Sequence, residues 1–130
     1  MLKAIFTWWN GATIGATFHI NRRGVFVGQD EQGNRYFQAK DTSDSYDGRK
    51  RRWVIFKGYP DASKVPAEWH GWLHHSVDLT PDQLPPARVW QKPAVPNLTG
   101  TDTAYRPSGA LERGGVRAAA TGDYEAWSPN

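Results

Sequence analysis

Three patterns of apolar and polar positions run along the chain. Over residues 2–9 the apolar side chains Leu2, Ile5, Phe6 and Trp9 recur at helical spacing, with Lys3, Thr7 and Asn10 on or near the other side. This predicts a short amphipathic helix ending near Asn10-Gly11. Two strand-like segments follow, Val25–Asp30 and Arg35–Ala39, separated by Glu31-Gln32-Gly33-Asn34. A tight turn with positive φ at Gly33 joins them into a hairpin, so a β-branched residue at position 33 should disrupt it. A third strand is expected over Arg52–Phe56, after a polar loop at 41–50. Three antiparallel strands are about the minimum for an independently stable sheet.

The next pattern is Val-Pro-Ala-Glu-Trp-His-Gly-Trp-Leu-His over residues 65–74. Pro66 suits the first turn of a helix, and Glu68 suits its positive N-terminus. That spacing puts Trp69, Trp72 and Leu73 on one helix face. One short helix cannot hide two indole rings, so they pack on the upstream sheet or on another protein. Beyond His75 the periodicity ends. Seven of the 9 prolines lie in residues 78–130, and large aliphatic side chains are sparse. Such a segment cannot bury enough apolar surface to fold alone. It nevertheless carries Trp90, Tyr105, Tyr124 and Trp127, the pattern of a chain that orders by wrapping a partner. The fold class read from these patterns is α+β: a small three-stranded antiparallel sheet covered by a short helix, a short N-terminal amphipathic helix, and a long extended proline-rich C-terminal tail. The divisions are 1–20 (helix and linker), 21–77 (sheet plus helix) and 78–130 (partner-wrapping tail).

Composition sharpens this picture. Only 38% of the 130 residues are hydrophobic, yet there are 7 Trp, 5 Tyr and 5 Phe. Aromatic rings therefore supply most of the core and, being favoured in interface cores, much of the adhesive surface. The first helix is too short to stand alone. It either packs on its own domain or lies on a membrane interface or partner with Trp8 and Trp9 as anchors. Cysteine is absent, which excludes a disulfide framework and a thiolate-held iron–sulphur cluster. No run reaches the roughly 18 apolar residues of a spanning helix, and the N-terminal segment lacks a signal-peptide cleavage site. The chain is expected to be retained inside the cell.

Candidate chemistry is thin. His70 and His74 stand four apart on the predicted helix, a ligand-like spacing, but no third ligand or metalloprotease glutamate accompanies them. No nucleophile elbow or phosphate-binding glycine loop is present, and Asp30-Glu31 reads as a pair of turn residues. The net charge is +3, with a pI near 9.3. The run Arg49-Lys50-Arg51-Arg52 beside Trp53 is either a docking patch or, as the second reading, a grip on nucleic acid through phosphate contact and stacking.

Several segments taken together resemble a known family. Val27–Phe37 resembles the Gly-x-Asp-x-x-Gly-Asn-[Lys/Arg]-Tyr-Tyr signature of a small alpha-subcomplex accessory subunit of respiratory complex I, NADH:ubiquinone oxidoreductase, also called B-seventeen. Arg52-Trp53-Val54 is similar to its Arg-Trp-Val strand. Val65–His74 is similar to its Pro-Pro-Glu-Trp-His-x-Trp-Leu-His helix, with Ala67 at the second proline, and Asn97–Thr101 to its Asn-[Leu/Val]-Thr-Gly-Thr segment. The short Lys57–Lys64 loop looks more like a bacterial member. The resemblance implies a non-catalytic subunit without cofactors of its own, on the cytoplasmic or matrix side of the membrane. It would contact core peripheral-arm subunits, iron–sulphur subunits among them, near the quinone-reaction region, with possible contact to the membrane surface. Neither nucleic acid nor a homo-oligomer is expected. A paralogue acting as an assembly factor is the alternative. The expected contact residues are Trp8, Trp9, Asp30, Gly33, Asn34, Tyr36, Arg51, Arg52, Trp53, Pro66, Glu68, Trp69, His70, Trp72, Trp90 and Tyr105. Of these, Tyr36, Trp53, Trp69 and Trp72 serve as core or interface anchors, Gly33 and Asn34 hold the turn, and Arg51 and Arg52 meet acidic or headgroup surface.

Overall fold

The computed structural model describes residues 11–43, 45, 47–124 and 126–129. The helix expected over 2–9, with Trp8 and Trp9, lies outside them. The chain divides into two units, Met1–Pro96 and Asn97–Asn130.

The first unit is built on a three-stranded antiparallel sheet of order β1-β2-β3, with β1 Gly24–Gln29, β2 Arg35–Ala39 and β3 Arg52–Ile55. The hairpin turn closes through the Gly33 amide on the Asp30 carbonyl (3.0 Å) and the Asp30 amide on the Asn34 carbonyl (3.1 Å). Gly33 has φ 88°, as the turn requires. An added Cβ would lie 2.7 Å from the Lys57 side chain, whose flexible exposed stem can move aside, so the backbone angle is what calls for glycine. In β1 the register shifts between Phe26, opposite Phe37, and Gly28, opposite Tyr36. Val27 is thus the extra residue of a β-bulge, which turns neighbouring side chains of a strand toward one face.

Both faces of the sheet are covered. On one lies α1, Ile14–Arg23, capped by the Thr13 hydroxyl accepting from the Ala16 amide (3.2 Å) and carrying Arg22 and Arg23 in its last turn. Its Ile20 packs with Phe37 and Ile55, and Ala12 and Trp53 close around them. The residues read from sequence as a linker up to position 20 therefore contain most of a helix. Thr13, Ile14, Thr17, Ile20 and Gly15 all have modest helix propensity, and the helix buries Ile20 alone. It offers no apolar stripe to find, and it forms because the sheet is there to receive Ile20.

On the other face lies α2, Ala67–Leu73, with Glu68 in its first turn. Pro66 is its N-cap rather than its first helical residue. The helix ends in a Schellman closure: the Ser76 amide donates to the Gly71 carbonyl (3.0 Å) and the His75 amide to the Trp72 carbonyl (3.1 Å). His75 occupies the left-handed position of that motif with φ 58°. Residues 78–96, assigned from composition to the tail, cluster with this first unit. They include a 3-10 turn at Pro81–Gln83, closed by a Thr80–Gln83 capping box.

Among its described residues the second unit holds only short local structure. The Asn97 side chain accepts from the Thr99 amide (3.0 Å) and hydroxyl (2.7 Å), the Thr101 amide donates to the Leu98 carbonyl (3.0 Å), and Gly100 takes φ 83°. The Asn-Leu-Thr-Gly-Thr segment is therefore a compact turn. A 3-10 turn at Leu111–Arg113 and the ion pairs Arg106–Glu112 and Arg117–Asp123 complete the unit.

Candidate functional site

The α2 face of the sheet holds an aromatic box. Tyr36, the second residue of β2, is fully buried and stacks on Trp69 with centroids 3.9 Å apart and planes 3° apart. Trp72 meets both rings edge to face, at 6.4 Å from Tyr36 and 5.5 Å from Trp69. Such geometry brings the positive edge of one ring to the negative face of another. Val27, Val54, Val65 and Leu73 seal the margin. The bulge makes the box possible. At Gly28 an added Cβ would lie 2.8 Å from Trp69 Cη2 and 2.9 Å from its Cζ2, so only glycine lets the indole reach Tyr36. Gly28 is absent from the contact residues expected from sequence. A glycine inside a strand pattern, which marks a bulge or a close approach, is the signal that identifies it.

A buried polar network fixes the box to the hairpin. Tyr36 donates its hydroxyl proton to Asp30 Oδ2 (2.8 Å). Asn34 Nδ2 donates to the same oxygen (2.8 Å) and to the Lys64 carbonyl (3.2 Å), while its amide donates to Asp30 Oδ1 (2.8 Å). Asn34 Oδ1 accepts from the Lys57 amide (3.0 Å). Asn34, 1% exposed, thus ties the turn to both ends of the 57–64 loop with its side chain satisfied. Burial, then the bond to Asp30 and the carboxylate's charge, push the Tyr36 phenol far above its ordinary value of 10.0.

Arg52 closes the far side. Its guanidinium lies over the Trp72 ring at 4.6 Å and donates to the Trp72 and Val77 carbonyls and to Asp78 Oδ1 (2.9 Å). The side chain is 6% exposed, whereas Asp78 is 88% exposed. Expected from sequence to meet a partner's acidic surface or lipid headgroups, Arg52 instead turns inward and pins the end of α2 to the sheet. Strand phase explains it: Arg52 is on the α2 face, while Arg51, its neighbour, is exposed. Trp53, on the opposite face, is half-buried and meets His19 edge to face at 6.0 Å. It is therefore part of the α1 packing, away from any exposed base-stacking position beside the basic run.

The remaining expected contact residues fall into two groups. Asp30, Gly33, Asn34, Tyr36, Trp69 and Trp72 form the interior just described, with Pro66 half-buried at the entry to α2. Arg51, Glu68, His70, Trp90 and Tyr105 are exposed. The His70 and His74 rings are 4.3 Å apart on the solvent side of α2. Among the described residues no cluster of three or more His, Cys, Asp or Glu side chains is placed to hold a metal ion. No described helix is long and apolar enough to cross a membrane. Apolar surface is nevertheless plentiful: Phe18 and Phe26 are 67% and 54% exposed, Trp90 73%, Tyr105 89% and Trp127 82%.

Residues 24–129 match the family model described as NADH ubiquinone oxidoreductase subunit NDUFA12. Among curated proteins, NADH dehydrogenase [ubiquinone] 1 alpha subcomplex subunit 12 of Dictyostelium discoideum is 40% identical over 91 residues, covering 68% of this chain and 63% of that protein. The protein of the same name from Bos taurus is 36% identical over 98 residues, covering 66% and 64%. An uncharacterized protein of Rickettsia prowazekii is 43% identical over 58 residues, covering 45% and 57%. The chain spans less than two thirds of the length of each of these relatives.

Proposed function

The chain belongs to the NADH ubiquinone oxidoreductase subunit NDUFA12 family, and from that premise we propose that it is a non-catalytic accessory subunit of respiratory complex I. It stabilises the peripheral arm, or assists its assembly, near the quinone-reaction region. The family match across residues 24–129 carries this reading. Its partners are core subunits of the arm, iron–sulphur subunits among them, on the cytoplasmic or matrix side of the membrane. NADH, flavin, clusters and quinone belong to those partners.

The division of aromatic residues supports the mode of action. Tyr36, Phe37, Trp69 and Trp72 are consumed in the module's own core, which makes the module a rigid block. The rings of residues 90–127 are exposed and spaced along a chain with only local turns, so they are available to seat in partner pockets. Arg51, Glu68 and His70 add polar contacts at the module surface, and the three divisions, N-terminal anchor, rigid module and wrapping tail, act as one staple.

The test is capture of the tagged full-length chain from detergent-solubilised membranes of its host, followed by mass spectrometry and an NADH:quinone activity assay. Recovery of core complex I subunits with activity is the expected result. Partial, inactive assemblies would identify an assembly factor of the same family. Recovery of no complex I subunit would overturn the reading.

A further inference from the structure

Beside the aromatic box lies a cleft of about 390 Å³ lined by Gln38, Arg49, Lys50, Arg52, His75 and Asp78. Its residues arrive from three directions. Gln38 and Arg52 come from paired positions of β2 and β3, Arg49 and Lys50 from the loop before β3, and His75 and Asp78 from the chain leaving α2. Three permanent cations line it with the Asp78 carboxylate, which Arg52 holds at 2.9 Å, while Arg49 also lies 3.9 Å from the neighbouring Asp47 carboxylate. The lining therefore keeps an excess of positive charge in a partly desolvated concavity, where its field is screened less than on open surface.

Two further features bear on the site. The Arg52 Nε–H is buried and has no acceptor among the described residues, so part of the guanidinium charge beneath the cleft is left without a hydrogen-bond partner. His75 is the one described non-glycine residue with positive φ, at 58°. Glycine is the low-strain choice at this helix-ending position, so the Schellman closure holds the His75 side chain in place at some backbone cost. The imidazole of His75 lines the cleft.

We propose that this cleft binds a phosphate group, with Lys50, Arg49 and the His75 imidazole as donors and Arg52 supplying charge from below. A carboxylate offers two oxygens in one plane and suits a single guanidinium fork, and Asp78 already takes one Arg52 N–H, that of Nη2, through its Oδ1. A phosphate presents oxygens in several directions and matches donors converging from sheet, loop and helix end. The inference is independent of the complex I reading. Burial first, then the charges of Arg52 and Arg49, hold the imidazole below its ordinary value, with Asp47 and Asp78 opposing. A bound phosphate offsets that cationic field and raises the imidazole pKa. By linkage, a phosphate of fixed charge binds more tightly to the protonated His75 imidazole than to the neutral one.

The experiment is an NMR titration of the His75 imidazole in the full chain with inorganic phosphate and with glycerol 3-phosphate at constant ionic strength. It is paired with cosedimentation on phosphatidylcholine vesicles with and without phosphatidylglycerol. Saturable phosphate binding that raises the His75 pKa, weakened fivefold or more in Lys50→Gln, is expected. His75→Asn, which tolerates the left-handed backbone, keeps the fold and loses the part of the pH dependence that the imidazole contributes. Vesicle binding that requires phosphatidylglycerol and fails in Lys50→Gln identifies a lipid headgroup as the source. Phosphate binding without it identifies a soluble phosphoester. Phosphate no tighter than chloride, equal affinities for the chain and Lys50→Gln, or polyglutamate bound in preference to phosphate would each overturn the proposal, the last by identifying an acidic protein segment.

Discussion

Trp69 lies parallel to Tyr36 at a centroid distance of 3.9 Å, and it can do so because the residue opposite Tyr36 on β1 is Gly28. The contact joins the first hairpin to α2 across 33 positions of sequence, and it is the hinge of the fold's energetics. A Gly28→Val chain should lose about 1–3 kcal/mol, since the added carbons meet a stiff indole ring already fixed by Trp72. Urea denaturation would show a lower midpoint at unchanged slope, and an unchanged midpoint would refute the close approach.

Asn34 should be among the costliest polar residues to replace. Asn34→Ala strands the Lys57 amide and the Lys64 carbonyl and removes a donor from Asp30. Each buried group left unmatched costs about 1–3 kcal/mol. The expected result is a large loss of stability with earlier proteolysis in the 57–64 loop, read by limited digestion with mass mapping.

Tyr36 gives a pH signature. Its folded phenol pKa is raised above the ordinary 10.0, so its contribution to stability is complete below pH 10 and is lost as pH rises from there toward the folded value. Tyr36→Phe removes one hydrogen bond, at about 0.5–1.5 kcal/mol near neutrality. It should also flatten the alkaline decline in stability. Denaturation midpoints of both chains between neutral and strongly alkaline pH would converge if this assignment holds.

Arg52 and Asp78 form an ion pair with unequal consequences. Arg52→Gln removes charge-assisted bonds to two backbone carbonyls and the packing on Trp72, an expected loss of about 2–3 kcal/mol. Asp78→Asn alters only a well-solvated partner and should cost less than about 1 kcal/mol. Calorimetric melting of the two variants separates the cases, and equal shifts would mean that the ion pair itself is the source of stability.

The exposed ring of Trp90 should matter only in company. Trp90→Ala is expected to leave the melting of the isolated chain unchanged, because 73% of the residue is already exposed. A seated Trp at an interface contributes about 2–4 kcal/mol to retention, so the variant should be depleted from purified complex I in a competition between tagged chains.

Much of this arrangement was legible in the sequence. The strands at 24–29, 35–39 and 52–55 and the helix at 67–73 stand within one or two residues of the expected spans. Their turn and cap residues, Gly33, Pro66 and Glu68, act locally, and local chemistry is written in order along the chain. The helix at Ile14–Arg23 was not legible, because its formation depends on one isoleucine meeting Phe37 and Ile55 rather than on an apolar stripe. The burial of Arg52 was equally hidden. A run of four basic residues reads as uniform surface, and only the phase of β3 separates Arg51, which faces water, from Arg52, which faces Trp72.

By itself, then, the sequence determined the three strands and the tryptophan-bearing helix, the aromatic character of the core and the family resemblance, since each rests on residues close together or on composition. Tertiary structure alone decided that the sheet is covered on both faces, that Asp30, Asn34 and Tyr36 form one network with the 57–64 loop, and that Arg49, Lys50 and His75 meet around a single cleft. Those outcomes depend on strand register, on the bulge at Val27 and on long-range packing. Register is set by the combined burial of all the elements, a quantity that no single stretch of the chain contains.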